Sequence, residues 1–275
     1  MEAIKINLEE YDLAGAGYNG ESYNHKTDKS LMLKLYFKQA PVSIIESELE
    51  NAHKVYELGV PSPKPGEYIT DGNGRYGIRF ERLVDKKSFS RAVGDNPEKV
   101  EEYARRFARM CLKLHSTKAP KDKFIDIKEQ CRQNIALTAS YYTPAQLAKF
   151  QEYLDNAPEG DTAIHGDLHF GNAVMVGDKE YFIDLGDFSS GSPLFDLGMV
   201  LFVCKYDNDD FLRTEMHVSR ELATDFWKFF VKEYFGEDAD PDEIEKKLRP
   251  YAALKLLIVN RNCNGILEEF NWLLE

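Results

Sequence analysis

Leu31, Leu33 and Leu35 alternate with Met32, Lys34 and Tyr36, the period-two pattern of a β-strand. Two further strand candidates flank Gly15-Ala-Gly-Tyr-Asn-Gly20. From Glu46 to Leu58 the period changes to that of a helix, with Ile45, Leu49, Ala52, Val55 and Tyr56 along one face. Gly59 supplies a stop, and Pro61, Pro63 and Pro65 enforce an extended connector. Two more strands are expected around Asp71-Gly-Asn-Gly74, the second ending at Tyr76 to Val84. Beyond Lys86 the pattern is mainly helical. The clearest helix is expected from Asn96 as N-cap and Pro97 as first helical residue, burying Val100, Tyr103, Ala104, Phe107, Cys111 and Leu114. Another spans Thr143-Pro144 to about Asn156, and the last hundred residues hold several more. The pattern predicts an α+β protein with a strand-rich lobe over residues 1–83 and a mainly helical lobe over 84–275.

Composition narrows this picture. With 275 residues the chain is long enough for a large core in two lobes, and 43% hydrophobic with 30% charged residues is ordinary globular composition. The net charge of −12 opposes binding to nucleic acid or to an anionic membrane surface. Cys111, Cys131, Cys204 and Cys263 lack metal-type spacing and read as reduced, mostly buried thiols of a cytoplasmic protein. The first ten residues lack the regions of a signal peptide, and the longest apolar run, Leu197 to Cys204, is far short of a membrane span.

The candidate chemistry lies in His165-Gly-Asp-Leu-His-Phe-Gly-Asn172, followed by Ile183-Asp-Leu-Gly186. Between them, two strand-like runs surround Gly177-Asp178, a hairpin turn with glycine first. That register places Asn172 opposite Ile183 and brings Asn172 and Asp184 to the mouth of the hairpin. An amide oxygen beside a carboxylate suits Mg²⁺, which takes one or two protein ligands and leaves the rest to phosphate and water. Asp167, just upstream, is placed to act as general base toward an attacking hydroxyl. An Asp, an Asn five residues on and a second Asp a dozen later are the oxygen-bearing groups that phosphoryl transfer requires.

Gly15-x-Gly17-x-x-Gly20 is followed by a strand pattern and not by a helix, which favours a hairpin covering phosphates over a dinucleotide fingerprint. Lys34 shares its strand face with Met32 and Tyr36 and needs a carboxylate partner. Glu48 on the following helix is the candidate, with Glu46 and Glu50 left in competition by periodicity alone.

On these residues the chain resembles the aminoglycoside phosphotransferase and choline kinase branch of the protein-kinase-like superfamily. The motifs His165 to Asn172, Ile183 to Gly186 and Ser192-Pro-Leu-Phe-Asp196-Leu are similar to the family's signatures. So are Leu114-His115-Ser116 and the segment from Glu48 to Pro63, which favours Glu48 over its neighbours. The resemblance extends to about Cys204. It implies a two-lobed kinase-like fold, ATP or GTP as phosphoryl donor and Mg²⁺ as cofactor. It implies Asp167 as catalytic base, Asn172 and Asp184 as metal ligands, Gly15, Gly17, Gly20, Lys34 and Glu48 around the phosphates, and Glu81 and Leu83 in an adenine-binding hinge. Asp196 is then a tether for the catalytic loop, and His115, His165 and His169 order that loop.

Gly166 stands where eukaryotic protein kinases carry an arginine that reads a phosphorylated activation loop, and only eleven residues separate Asp184 from Asp196. A small-molecule hydroxyl acceptor is therefore expected in place of a protein. Two acidic-aromatic patches are candidates for a cationic acceptor: Asp207, Asp209 and Asp210 in one, and Glu268, Glu269 and Trp272 in the other. The sequence leaves the acceptor and the oligomeric state open.

Overall fold

The computed structural model describes the chain except for residues 18, 264–267 and 275, and for the side chains of residues 260–263 and 268. The chain divides into two compact units, one of residues 1–87 with 174–187 and the other of residues 88–173 with 188–275. Residues 174–187 thus join the first unit, where the sequence pattern suggested one cut after residue 83.

The first unit is built on a six-stranded sheet in the order β1-β5-β6-β4-β3-β2. Its strands are β1 (Ile4–Lys5), β2 (Tyr11–Ala16), β3 (Gly20–His25), β4 (Leu31–Tyr36), β5 (Pro65–Thr70) and β6 (Tyr76–Glu81). All pairings are antiparallel except the short β1 beside β5, which the pattern did not announce. Alternation in β4 works as expected. Leu33 and Leu35 pack with Ile6, Tyr11 and Ile69 on one face. Tyr36, Tyr68 and Ile78 pack with Ile45 and Leu49 of helix α1 (Val42–Glu57) on the other.

Helix α1 begins four residues before the expected Glu46. Its first turn carries exposed Val42 and Ile44, so it does not continue the apolar stripe that marks the rest. Tyr56, assigned to the buried face, is 43% exposed. Leu58 caps the helix and Gly59 follows at φ 83°, the left-handed position that glycine tolerates without a Cβ penalty. A hairpin of Ala173–Val176 and Lys179–Phe182 turns at Gly177 and Asp178 as expected. Gly177 has φ 58° while Asp178 keeps a negative φ, the type II′ geometry that follows strand twist. The Phe182 N–H donates to the Pro61 carbonyl at 2.8 Å, anchoring the returning strand.

The second unit is mainly helical: α2 (Phe89–Asp95), α3 (Val100–His115), α4 (Ile127–Thr138), α5 (Pro144–Asn156), α6 (Leu194–Leu201), α7 (Asp209–Thr214), α8 (Arg220–Phe235) and α9 (Pro241–Cys263). Asn96 does not cap α3. Its amide donates to the Ala92 carbonyl, and Pro97–Lys99 form a 3₁₀ turn before the α-helix starts at Val100. Thr143 and Gln146 form a full capping box on α5. Phe107 of α3, Phe226 and Phe230 of α8 and Phe170 are fully buried and pack as one aromatic core, with Phe170 stacked on Phe226. Gly198, the one small residue in the longest apolar run, lets α6 approach α9: a Cβ there would lie 2.4 Å from the Tyr251 Cβ. No helix among the described residues is long and apolar enough to cross a membrane.

Candidate active site

In the first unit the site grows from the register of β4 and α1. Lys34 shares the sheet face covered by α1, and Glu48, one turn after Ile45 on that helix, meets it at 2.8 Å. Lys34 also reaches Asp184 at 3.2 Å. Burial of the Lys34 ammonium opposes its charge, but Asp184 and Glu48 outweigh that and hold its pKa well above the ordinary lysine value. The Tyr36 hydroxyl donates to the second oxygen of Glu48. Burial raises that phenol's pKa, so it stays a donor. Glu46 and Glu50 have other partners, the N-terminal amine and Lys54.

Asp184 adopts φ 57°, a left-handed conformation rare for a residue with a Cβ and characteristic of functional sites. Gly186 follows in the 3₁₀ turn Leu185–Asp187, where an added Cβ would lie 3.3 Å from Glu48 Oε2.

The three glycines are not equivalent. Gly20 is required by the fold, since a Cβ there would meet the Leu35 carbonyl at 2.4 Å. A Cβ at Gly15 would crowd Ser22 Oγ at 3.3 Å, while Gly17 has room and its amide donates to the Gly20 carbonyl at 2.8 Å. Glu81 closes β6, its N–H donating to the Lys64 carbonyl, and Leu83 is buried just beyond.

In the second unit the loop from His165 to Asn172 is fixed from both sides. Leu168 and Phe170 are fully buried, which turns their neighbours Asp167 and His169 the other way. The Asp196 carboxylate accepts from the backbone N–H of His165 at 2.7 Å and of Gly166 at 2.9 Å. Asp196 is held in turn by His115 Nε2 at 3.1 Å, whose Nδ1 meets the Tyr234 hydroxyl at 2.8 Å. Gly166 takes φ 86°, so the loop turns where a side chain would strain it.

Asp167 is the focus of this loop. Asn172 donates to its carbonyl at 3.0 Å and to its Oδ2 at 3.2 Å. Lys255, from α9, reaches its Oδ1 at 2.7 Å. His169 Nε2 lies 3.9 Å from Oδ2. Burial disfavours the Asp167 carboxylate, yet Lys255 and His169 hold its pKa well below the usual range, so it is ionised at neutral pH.

Lys255 was not singled out in the sequence. The signal was present: a lone charge in Ala252-Ala-Leu-Lys-Leu-Leu257, the same mismatch that marked Lys34. Its partner lies 88 residues away in sequence, and no spacing rule connects them.

With the Asn172 amide nitrogen committed to Asp167, its oxygen is left as an acceptor. Among the described residues no three His, Cys, Asp or Glu side chains form a cage for a metal ion.

Two of the acceptor candidates are paired with arginines. Asp209 pairs with Arg220 at 3.0 Å and Asp210 with Arg213 at 2.6 Å. Burial pushes the Asp207 carboxyl up to about 6. Asn208 donates to Glu269 at 3.4 Å. Trp272 packs edge-on against Tyr206, with the Arg249 guanidinium 5.8 Å from its ring centroid. The Glu268 side chain lies outside the described residues, as does that of Cys263. Cys111, Cys131 and Cys204 are free and buried.

A lysine held by two carboxylates beside a glycine hairpin, and an ionised aspartate on a clamped loop, are the parts of a phosphoryl-transfer enzyme. The chain belongs to the phosphotransferase enzyme family, whose model matches residues 12–230. No curated protein matches the sequence. Among solved structures it is similar to an aminoglycoside-3'-phosphotransferase of type VIII, at 18% identity and a TM-score of 0.64, covering 90% of this chain and 92% of that one. It is similar to the amicoumacin kinase hAmiN in complex with AMP-PNP, Ca²⁺ and Ami, at 15% identity and a TM-score of 0.60, covering 98% and 87%. A choline/ethanolamine kinase family protein from Mesorhizobium loti follows at 16% identity and a TM-score of 0.54, covering 96% and 84%. At these identities the likeness establishes the protein-kinase-like fold.

Proposed function

We propose that the protein is an ATP- and Mg²⁺-dependent kinase that phosphorylates a hydroxyl group of a small molecule in the cytoplasm. The observation that carries this reading is the ionised Asp167, held at both oxygens on a loop tethered by Asp196. The first unit would bind the nucleotide. The hairpin carrying Gly15, Gly17 and Gly20 would cover the phosphates, Lys34 presents a fixed ammonium to their oxygens, and Glu81 and Leu83 lie in the adenine hinge. The nucleotide analogue held by the similar amicoumacin kinase supports ATP as donor over GTP. Mg²⁺, held through Asp184 and the Asn172 oxygen, would neutralise phosphate charge.

The second unit would receive the acceptor. Asp167 accepts a hydrogen bond from the acceptor hydroxyl and orients its oxygen for in-line attack on the γ-phosphorus. A new P–O bond forms there and the bond to the β-phosphate oxygen breaks. ADP departs with the bond's electrons, and the hydroxyl proton passes to Asp167 or to the phosphorylated product. A carboxylate held this firmly in its charged form acts mainly by orientation, because its basicity is low.

The test is ADP release from Mg²⁺-ATP across a panel of hydroxyl compounds, with Asp167→Ala as control. Acceptor-stimulated turnover that vanishes in the variant, with nucleotide affinity retained, is expected. Turnover unchanged in Asp167→Ala would overturn the assignment.

A further inference from the structure

We propose that Lys255 fills, from within the protein, the place beside Asp167 that a substrate ammonium would otherwise take. The acceptor is accordingly an uncharged or anionic hydroxyl compound, of the polyol, sugar or hydroxy-acid class, and not an amino alcohol or a polyamine. This rests on the reading of Asp167 as the group that receives the acceptor hydroxyl.

The geometry is specific. Lys255 Nζ bonds Oδ1 of Asp167 while the Asn172 amide bonds Oδ2, so one carboxylate oxygen already carries a full cation. The Lys255 side chain is 12% exposed and that of Asp167 31%, so the lysine is the better covered of the two. Its neighbours Leu254, Leu256 and Leu257 are buried, which fixes the stem along α9. A hydroxyl bonded to Asp167 brings its own carbon substituents to about 5 Å from that ammonium. At an effective dielectric of about 20, an unpaired Asp167 carboxylate at that distance would favour an ammonium over a carboxylate by roughly a hundredfold or more, and Lys255 cancels most of that preference.

The surrounding acids do not restore that preference. Asp209 and Asp210 face Arg220 and Arg213, and the Trp272 ring lies under Arg249. Asp207, whose burial pushes its carboxyl up to about 6, is mostly charged at neutral pH, and Lys255 and Arg220 both act to balance that charge. The acidic composition of the chain as a whole therefore does not carry over to this side of Asp167.

The experiment compares charge-matched acceptors with Mg²⁺-ATP: glucose, gluconate and glucosamine, together with glycerate, ethanolamine and choline. Turnover is followed as ADP release for the native protein, Lys255→Met and Lys255→Arg, and calorimetric binding to the nucleotide complex is used wherever turnover is absent. The native protein is expected to prefer the uncharged or anionic members at least tenfold. Lys255→Met should raise KM for the anions and lower it for the amines, and Lys255→Arg should restore the native order. Preference for amines in the native protein, an order unchanged in Lys255→Met, or no discrimination by charge would overturn the proposal. Loss of nucleotide binding in the native protein, or turnover surviving Asp167→Ala, would instead defeat the kinase reading on which it rests.

Discussion

The rings of Phe170 and Phe226 stack with centroids 4.5 Å apart, so helix α8 supports the loop that presents Asp167 from beneath. Phe226→Ala removes a fully buried ring from an aromatic core and is expected to cost about 3–5 kcal/mol of stability. Because Phe170 loses its support, kcat should fall while the affinity for nucleotide changes little. Urea unfolding and steady-state kinetics on the same preparation check both parts; an unchanged kcat would separate the core from the loop.

Asp196→Ala leaves the N–H groups of His165 and Gly166 without their acceptor inside a buried loop. Each unsatisfied donor costs about 1–3 kcal/mol, so a loss of several kcal/mol is expected, with turnover reduced. Asp196→Asn keeps one oxygen and should lie between. Amide exchange at Gly166 should accelerate in the order native, Asn, Ala.

Lys34 is held by Glu48 and Asp184 together, and this makes the three substitutions unequal. Lys34→Ala should lower kcat/KM for ATP by roughly 10- to 1,000-fold, corresponding to about 1.4–4 kcal/mol of lost phosphate contact. Glu48→Gln should cost less, since Asp184 still positions the ammonium. Asp184→Ala should raise the Mg²⁺ concentration needed for half-maximal nucleotide binding. A titration in which Asp184→Ala leaves the Mg²⁺ requirement unaltered would remove that residue from the metal site.

Burial raises the Asp207 carboxyl from an ordinary 3.8 to about 6. A folded-state pKa above the unfolded value gives a contribution that is complete below about pH 4 and is lost as pH rises through about 6. Above pH 6 the charged carboxylate is a liability. Asp207→Asn keeps the oxygen that accepts from the Asn208 N–H and should stabilise the protein at pH 7.5 by up to about 3 kcal/mol. At pH 4 the two proteins should unfold alike. Equal midpoints at pH 7.5 would contradict the shift.

Much of this was legible in the sequence where one local rule dominated. The Gly177 turn, the helix start at Thr143-Pro144 and the Gly59 stop each follow from one or two residues whose backbone needs are narrow. The Lys34 partnership was legible because a charge on an apolar strand face demands a carboxylate within reach. Failures arose where tertiary structure overrode local preference. The first turn of α1 carries exposed apolar residues, so its start was hidden, and Asn96 turned its amide toward α2 and left α3 uncapped. Lys255 escaped notice because its meaning depends on a loop that only the fold brings to it. The acidic patch was visible as charge, but its pairing with Arg213 and Arg220 was not.

Residues Ser189–Gly191 form a strand paired with Thr162–Ile164, and Ser189 and Ser190 are fully buried. In protein kinases the stretch that follows the metal-binding aspartate is where a modifying enzyme gains entry and sets activity. Here that stretch is stitched into the scaffold before any ligand arrives, with its hydroxyls turned inward. Ser189 and Ser190 are therefore closed to a modifying enzyme while this strand stays paired.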